Sequence, residues 1–242
     1  RQSERSTATR AAMMHTGRFA RSHTDALPNA ANAPHPFPHD RVLQPGPGLA
    51  RLWADAGLIR SDITTGFNNV SGAAHGVPMD LHLSFHDIHH PGHAMAGRAI
   101  YVWHADAAGQ YSVFNLPHRN YLRGVGITDG LGRVRFRTIY PGTYRGRPPH
   151  IHFEVYRNLD ALRCGAARQF RSSMLFPDPV SRAIYASHEV YRDSRTAYDT
   201  LRFEPPVTDP ENDARAVRLA TVTAAGRDHL RARIQVLMEA AS

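Results

Sequence analysis

The sequence contains no lysine: all 29 of its basic residues are arginines, set against 21 acidic residues for a formal net charge of +8. An electrostatic footprint for nucleic acid needs basic residues gathered into a block or a helical stripe. Here the arginines are scattered singly, so nucleic acid is not an expected partner. Cysteine is nearly absent as well. The single Cys164 excludes an intrachain disulfide framework and any site built from several thiolates. No apolar run approaches the ~18 residues that a membrane-crossing helix needs, so no helical span is expected. With one thiol and no leader-like apolar segment in residues 1–48, the compartment stays open between cytoplasm and export.

What is present suffices for one full core: 242 residues, of which 42% are hydrophobic. Two regions are expected. Residues 1–48 lack sustained periodicity, and six of the 17 prolines fall between Pro28 and Pro47. Each proline pushes the residue before it toward extended backbone, so this stretch reads as a flexible or extended N-terminal arm. Such an arm should be dispensable for chemistry carried further along the chain. Residues 49–242 read as one domain. Leu49, Leu52, Trp53 and Ala56 predict a short helix at its start.

Beyond that helix the apolar period changes to two. Met79, Leu81, Leu83 and Phe85 alternate with polar residues, as do Val134, Phe136 and Thr138, which follow a turn at Asp129-Gly130. Ala99, Tyr101 and Trp103 continue the pattern, and Ile151, Phe153 and Val155 form the apolar side of a further strand. Residues 217–223 and 230–236 flank Ala225-Gly226-Arg227-Asp228 and predict a closing hairpin. Short strands with repeated turn signals predict an all-β fold, a β-sandwich of mainly antiparallel strands.

The most informative stretch is Tyr140-Pro-Gly-Thr-Tyr144-Arg-Gly-Arg147-Pro-Pro-His150-Ile-His152-Phe153. Strand side chains alternate, so His150 and His152 share one face while Ile151 and Phe153 take the other. Two imidazoles at i and i+2 can reach one metal ion; two packed or solvated histidines give the same pattern. Glu154 shares their face and reads either as a third ligand or as a solvent-facing charge. Tyr144 lies six residues before His150 across a Gly/Pro-rich loop. A second tyrosine, Tyr111, follows the turn in Trp103-His104-Ala105-Asp106-Ala-Ala-Gly109-Gln-Tyr111-Ser112. Phenol has a pKa near 10 and is a poor ligand for divalent ions, whereas a trivalent ion is acidic enough to hold it as phenolate. Two tyrosines with two histidines therefore point to ferric iron; ordinary amphipathic packing of both tyrosines is the other reading.

At these motifs the sequence resembles the intradiol ring-cleavage dioxygenases. The resemblance runs from about Ser61-Asp62-Ile63 to Pro177-Asp178. It rests on Val102-Trp103-His104-Ala105-Asp106, Gly109-Gln-Tyr111-Ser112, Leu122-Arg123-Gly124, Tyr140-Pro-Gly-Thr-Tyr144 and Arg147-Pro-Pro-His150-Ile-His152. It implies a sandwich domain over residues 49–242 that holds non-haem Fe(III) through Tyr111, Tyr144, His150 and His152. Tyr144 matches the tyrosine that leaves the metal when substrate binds. Arg147 matches the arginine over the substrate ring. The implied reaction opens a small aromatic diol with O2 to a muconate-type diacid. The sequence departs from the family at Ser172-Ser173, where Thr-Gln is common. His104 is assigned no catalytic role.

Two other functional classes fit parts of this pattern. A cupin-like metal enzyme also uses His-X-His, but wants a glutamate four or five residues on, where Tyr156 and Arg157 stand. A binding module that has kept the scaffold without catalysis is the second. Elsewhere, Asp87-Ile-His89-His90-Pro-Gly-His93 reads as a solvated loop beside the sandwich, or as a surface metal clip. Oligomeric state is not fixed by the sequence; a homodimer is among the assemblies it allows.

Overall fold

The computed structural model describes residues 55–201 and 218–240. The whole of the predicted arm and most of the predicted first helix lie outside them; the described remainder of that helix is a 3-10 turn, Ala56–Leu58. Nine strands follow: β1 Pro78–Asp87, β2 Ala99–His104, β3 Arg123–Ile127, β4 Arg133–Ile139, β5 His150–Tyr156, β6 Phe170–Leu175, β7 Arg218–Leu219, β8 Thr221–Gly226 and β9 His229–Met238. They form a four-stranded sheet of order β4-β1-β9-β8 and a five-stranded sheet of order β3-β2-β5-β6-β7. All neighbours are antiparallel except β1 with β9 and β6 with β7. The all-β sandwich expected from the alternating pattern is the fold observed.

Alternation decides which side chains fill the space between the sheets. Met79, Leu81, Leu83 and Phe85 of β1 face Ile100 and Val102 of β2 and Ile151, Phe153 and Val155 of β5 in one buried cluster. Burying side chains of this size contributes about 1.5–3 kcal/mol each. The other face of β2 and β5 is buried too. Ala99, Tyr101, Trp103 and Tyr156 join Leu58, Phe67 and Leu162 in a second apolar cluster. β2 is therefore a doubly buried strand, where Ala99, Tyr101 and Trp103 alone suggested a half-buried one. The expected hairpin forms from β8 and β9, but residues 218–219 of its first arm pair with β6 in the other sheet.

Three helices were not anticipated: α1 Leu159–Arg163, α2 Asp178–Ser187 and α3 Arg192–Asp199. Val180 and Ile184, one turn apart, bury one side of α2, and Ser194 and Tyr198 do the same for α3. Tyr185 of α2 and Tyr191, in the 3-10 turn Glu189–Tyr191 that joins α2 to α3, brace the chain after β4. Tyr191 donates to the Tyr140 carbonyl at 2.8 Å and accepts from the Val77 amide at 3.0 Å, while Tyr185 donates to the Pro141 carbonyl at 2.8 Å.

Candidate functional site

Strand β5 leads with its histidines. His152 pairs with Trp103 on one side and Ser173 on the other. The Trp103 ring stacks on the imidazole at 4.9 Å with an interplanar angle of 14°, and the Ser173 hydroxyl lies 3.0 Å from its Nδ1. His150 has its Nδ1 2.7 Å from the Pro148 carbonyl. A carbonyl can only accept, so Nδ1 of His150 carries the proton and Nε2 presents a lone pair. Ser173 can accept from His152 in the same way. The two Nε2 atoms then face each other at 3.0 Å.

Tyr111 arrives on a turn made by Asp106, whose Oδ1 accepts from the amides of Ala108 and Gln110, both at 3.0 Å. Gly109 completes the turn at φ +81°, a conformation that L side chains rarely adopt. The backbone at Tyr111 is then fixed, its amide donating to the Asn115 side chain and its carbonyl accepting from Asn115 and Leu116. Its hydroxyl reaches to 3.0 Å from Nε2 of His150. Tyr144 lies edge-on to both, with ring centroids 5.9 Å from Tyr111 and 5.9 Å from His150. Tyr111 is fully buried; Tyr144 is half-buried.

The two tyrosine-bearing loops interlock through glycine. A Cβ at Gly109 would overlap the Thr143 carbonyl, and one at Gly142 would overlap the Asp106 carbonyl. Gly142 serves close approach, and the left-handed residue beside Tyr144 is Gly146, at φ +81°. Ser194 of α3 ties the same junction, accepting from the Thr143 amide and donating to the Ala107 carbonyl, each at 2.8 Å.

Burial pushes the Tyr111 phenol well above its ordinary value, as does its neighbour Tyr144, while Arg123 and Arg147 pull the other way. Tyr144 is likewise raised by burial and lowered by Arg147. The Tyr111 hydroxyl donates to the Nε2 lone pair of His150, and the two Nε2 atoms, 3.0 Å apart, can aim both lone pairs at one cation. The donor set fits a small, strongly Lewis-acidic ion, because only such an ion keeps phenols of raised pKa anionic at neutral pH. Tyr111, Tyr144, His150 and His152 are thus brought together, and Arg147 is buried in the Tyr144 loop, its amide donating to the Tyr144 carbonyl at 3.1 Å.

Glu154 is neither a third ligand nor a solvent-facing charge. It is fully buried, accepts from the Tyr156 hydroxyl at 2.8 Å and sits 3.6 Å from Arg168. His104 also stays structural, placed between the sheets with Nε2 2.7 Å from the Thr138 hydroxyl. Arg123 is the residue whose role the sequence concealed. Its guanidinium is buried and donates to the Ser112 carbonyl at 2.6 Å and the Tyr101 hydroxyl at 2.7 Å. A positive charge thereby sits next to the strand entry that carries Tyr111. The signal was present in Leu122-Arg123-Gly124, an arginine flanked by buried residues at the start of β3. A surface groove of about 640 Å³ along His82, Arg135 and Arg233 lies on the other sheet and shares no residue with this cluster.

The sandwich, with its central strand presenting His-X-His toward two loop tyrosines, is the setting in which the comparisons place a dioxygenase. Residues 60–197 match the family model described as Dioxygenase, and the chain belongs to the intradiol ring-cleavage dioxygenase family. A chlorocatechol 1,2-dioxygenase of Pseudomonas putida is 33% identical over a match covering 28% of this chain and 33% of that protein. The beta chain of a protocatechuate 3,4-dioxygenase of Burkholderia cepacia is also 33% identical, covering 42% of this chain and 49% of that one. The matches thus span half or less of these curated relatives. In structure, an intradiol ring-cleavage dioxygenase from Tetranychus urticae shares the fold with a TM-score of 0.55 at 20% identity, over 76% of this chain and 88% of that one. Family membership sets aside the cupin-like reading.

Proposed function

We propose that this protein is an Fe(III)-dependent enzyme that opens a catechol-type ring between its two hydroxylated carbons with O2, giving a muconate-type diacid. The convergence of the Tyr111 hydroxyl and the two histidine Nε2 atoms, with the His150 Nε2 3.0 Å from each of the other two, carries this reading. Tyr111, Tyr144, His150 and His152 would hold the iron. Bound there, ferric iron supplies a Lewis acid for the diol oxygens and the redox partner that lets the ring react with O2.

The chain's own groups have separable tasks. Tyr111, with its backbone fixed at both ends, is the permanent anchor. Tyr144 is the mobile one, because Tyr144, Arg145 and Gly146 reach partly into solvent while Tyr111 is sealed. A Tyr144 phenolate left in this buried setting is strongly basic, since burial disfavours its charge, and it takes a proton from the incoming diol. Arg147 offers a fixed positive charge where negative charge develops on the ring. Trp103 and Ser173 hold His152 in one orientation. The test is aerobic incubation of purified, iron-loaded protein with catechol, hydroxyquinol and protocatechuate, with products identified by mass and by 18O2 incorporation. Diacids carrying both oxygen atoms are expected. An aldehyde-acid, or an iron-loaded protein inert toward all three, overturns the reading, and inertness selects the non-catalytic module.

A further inference from the structure

The loop after β1 carries Asp87, His90 and His93, and their ligand atoms all lie within 4.8 Å of one another. The geometry points to a second metal site here, for a divalent transition cation of the zinc class. The backbone builds the triad. The His89 amide donates to Asp87 Oδ1 at 2.9 Å, which turns Oδ2 toward His90, 3.3 Å from its Nδ1. The Asp87 amide donates to the His93 carbonyl at 3.0 Å, and the His93 amide to the His90 carbonyl at 2.7 Å. Both imidazoles consequently stack, with centroids 5.2 Å apart and planes 23° from parallel. The loop is pinned at its base as well, by the Ile88 amide on the Met238 carbonyl and a bridge between His86 and Ala94.

Ligand chemistry selects the ion. One carboxylate and two imidazoles suit zinc, nickel or copper, whereas calcium and magnesium want a shell of oxygens. The Asp87 side chain is only 13% exposed while His90 is 65% exposed. A carboxylate held anionic near two reachable imidazoles is ready to bind, and three protein ligands leave positions for water. Hydrogen bonding from the His89 amide, and then from His90, keeps the Asp87 carboxyl below its ordinary value. The triad is also remote from the tyrosine–histidine cluster: its loop enters β2 at Ala99, while His152 pairs with Trp103 near the strand's other end. Occupancy would tie the β1–β2 connection across its open side.

The test uses untagged, iron-loaded protein titrated with ZnCl2 by calorimetry, with metal counted after gel filtration. Wild type is expected to retain one zinc per chain more than the His90→Ala/His93→Ala variant, and to gain several degrees in Tm with zinc where the variant gains none. Both chains should cleave substrate, or fail to, alike. Equal zinc retention by the two chains, or no zinc retained by wild type, overturns the site. Circular dichroism of the double variant, expected to match wild type, separates lost ligands from lost fold.

Discussion

The Ser173 hydroxyl lies 3.0 Å from Nδ1 of His152, its register partner across β5 and β6. Serine is shorter than the glutamine common at this position in the family, and it meets the histidine rather than extending past it. Partners of this kind fix the tautomer and raise the basicity of the opposite ring nitrogen. Ser173→Ala should lower iron affinity by about 10–100-fold while leaving the circular dichroism unchanged. Competition with a chelator of known affinity measures it; unchanged affinity would show that Trp103 stacking alone orients the ring.

The two tyrosines should differ in behaviour. The loaded protein should be burgundy to red-brown through tyrosinate-to-iron charge transfer, and a colourless, zinc-loaded protein with full activity would sink the iron assignment. Tyr144→Phe should keep colour and iron but slow substrate binding and turnover. Tyr111→Phe should lose most of the charge-transfer band that remains once substrate has bound. Stopped-flow spectra with a catechol distinguish them, and the opposite pattern would exchange their roles.

Gly109 and Gly142 each sit where a neighbouring loop's carbonyl leaves no room for a methyl group. Gly109→Ala adds the cost of a left-handed backbone, about 1–3 kcal/mol, to that overlap. We expect a Tm loss of several degrees, and iron content falling further than stability alone explains, because both tyrosine loops must part. A Gly130→Ala control, in a turn with open space around it, should retain its iron.

His104 should make the fold sensitive to mild acid. Burial lowers its pKa to about 4, with His150 and Arg123 pulling the same way and the Ala105 carbonyl opposing. The unfolded imidazole titrates near 6.5, so the folded state favours the neutral ring. Its contribution is present above about pH 6.5 and is lost as pH falls through 4. That separation is worth about 3 kcal/mol. Urea unfolding at pH 7 and pH 4.5 should show a smaller difference for His104→Gln than for wild type; equal differences would remove His104 as the cause.

Period-two alternation made β1, β4 and β5 readable, and it placed His150 and His152 on one face without help from tertiary structure. The limits have physical causes. Alternation cannot tell water from a second apolar cluster, so Glu154 looked available although it is sealed against Tyr156 and Arg168. The role of Gly142 was not legible, because a glycine that admits a neighbouring carbonyl leaves no local mark. The helices after β6 were not read, although Asp178-Pro179 at a helix start and the Val180/Ile184 spacing carry a local signal for the first of them. Their use, bracing Tyr140 and Pro141 through tyrosine hydroxyls, depends on contacts more than 40 residues apart in sequence.

Strand β1 is bordered by β4 on one edge and by β9 on the other. The first partner lies about 50 residues downstream and the second roughly 150, a separation that slows pairing. As the chain leaves the ribosome, β1 therefore waits with one edge of unpaired N–H and C=O groups until the last described strand has emerged. Completion of this sheet waits for residues 229–238, and a chain stalled before residue 229 exposes a template for pairing with other chains. Truncations at the C-terminus should accordingly yield aggregates held by chaperones, even though every candidate iron ligand has already been synthesised.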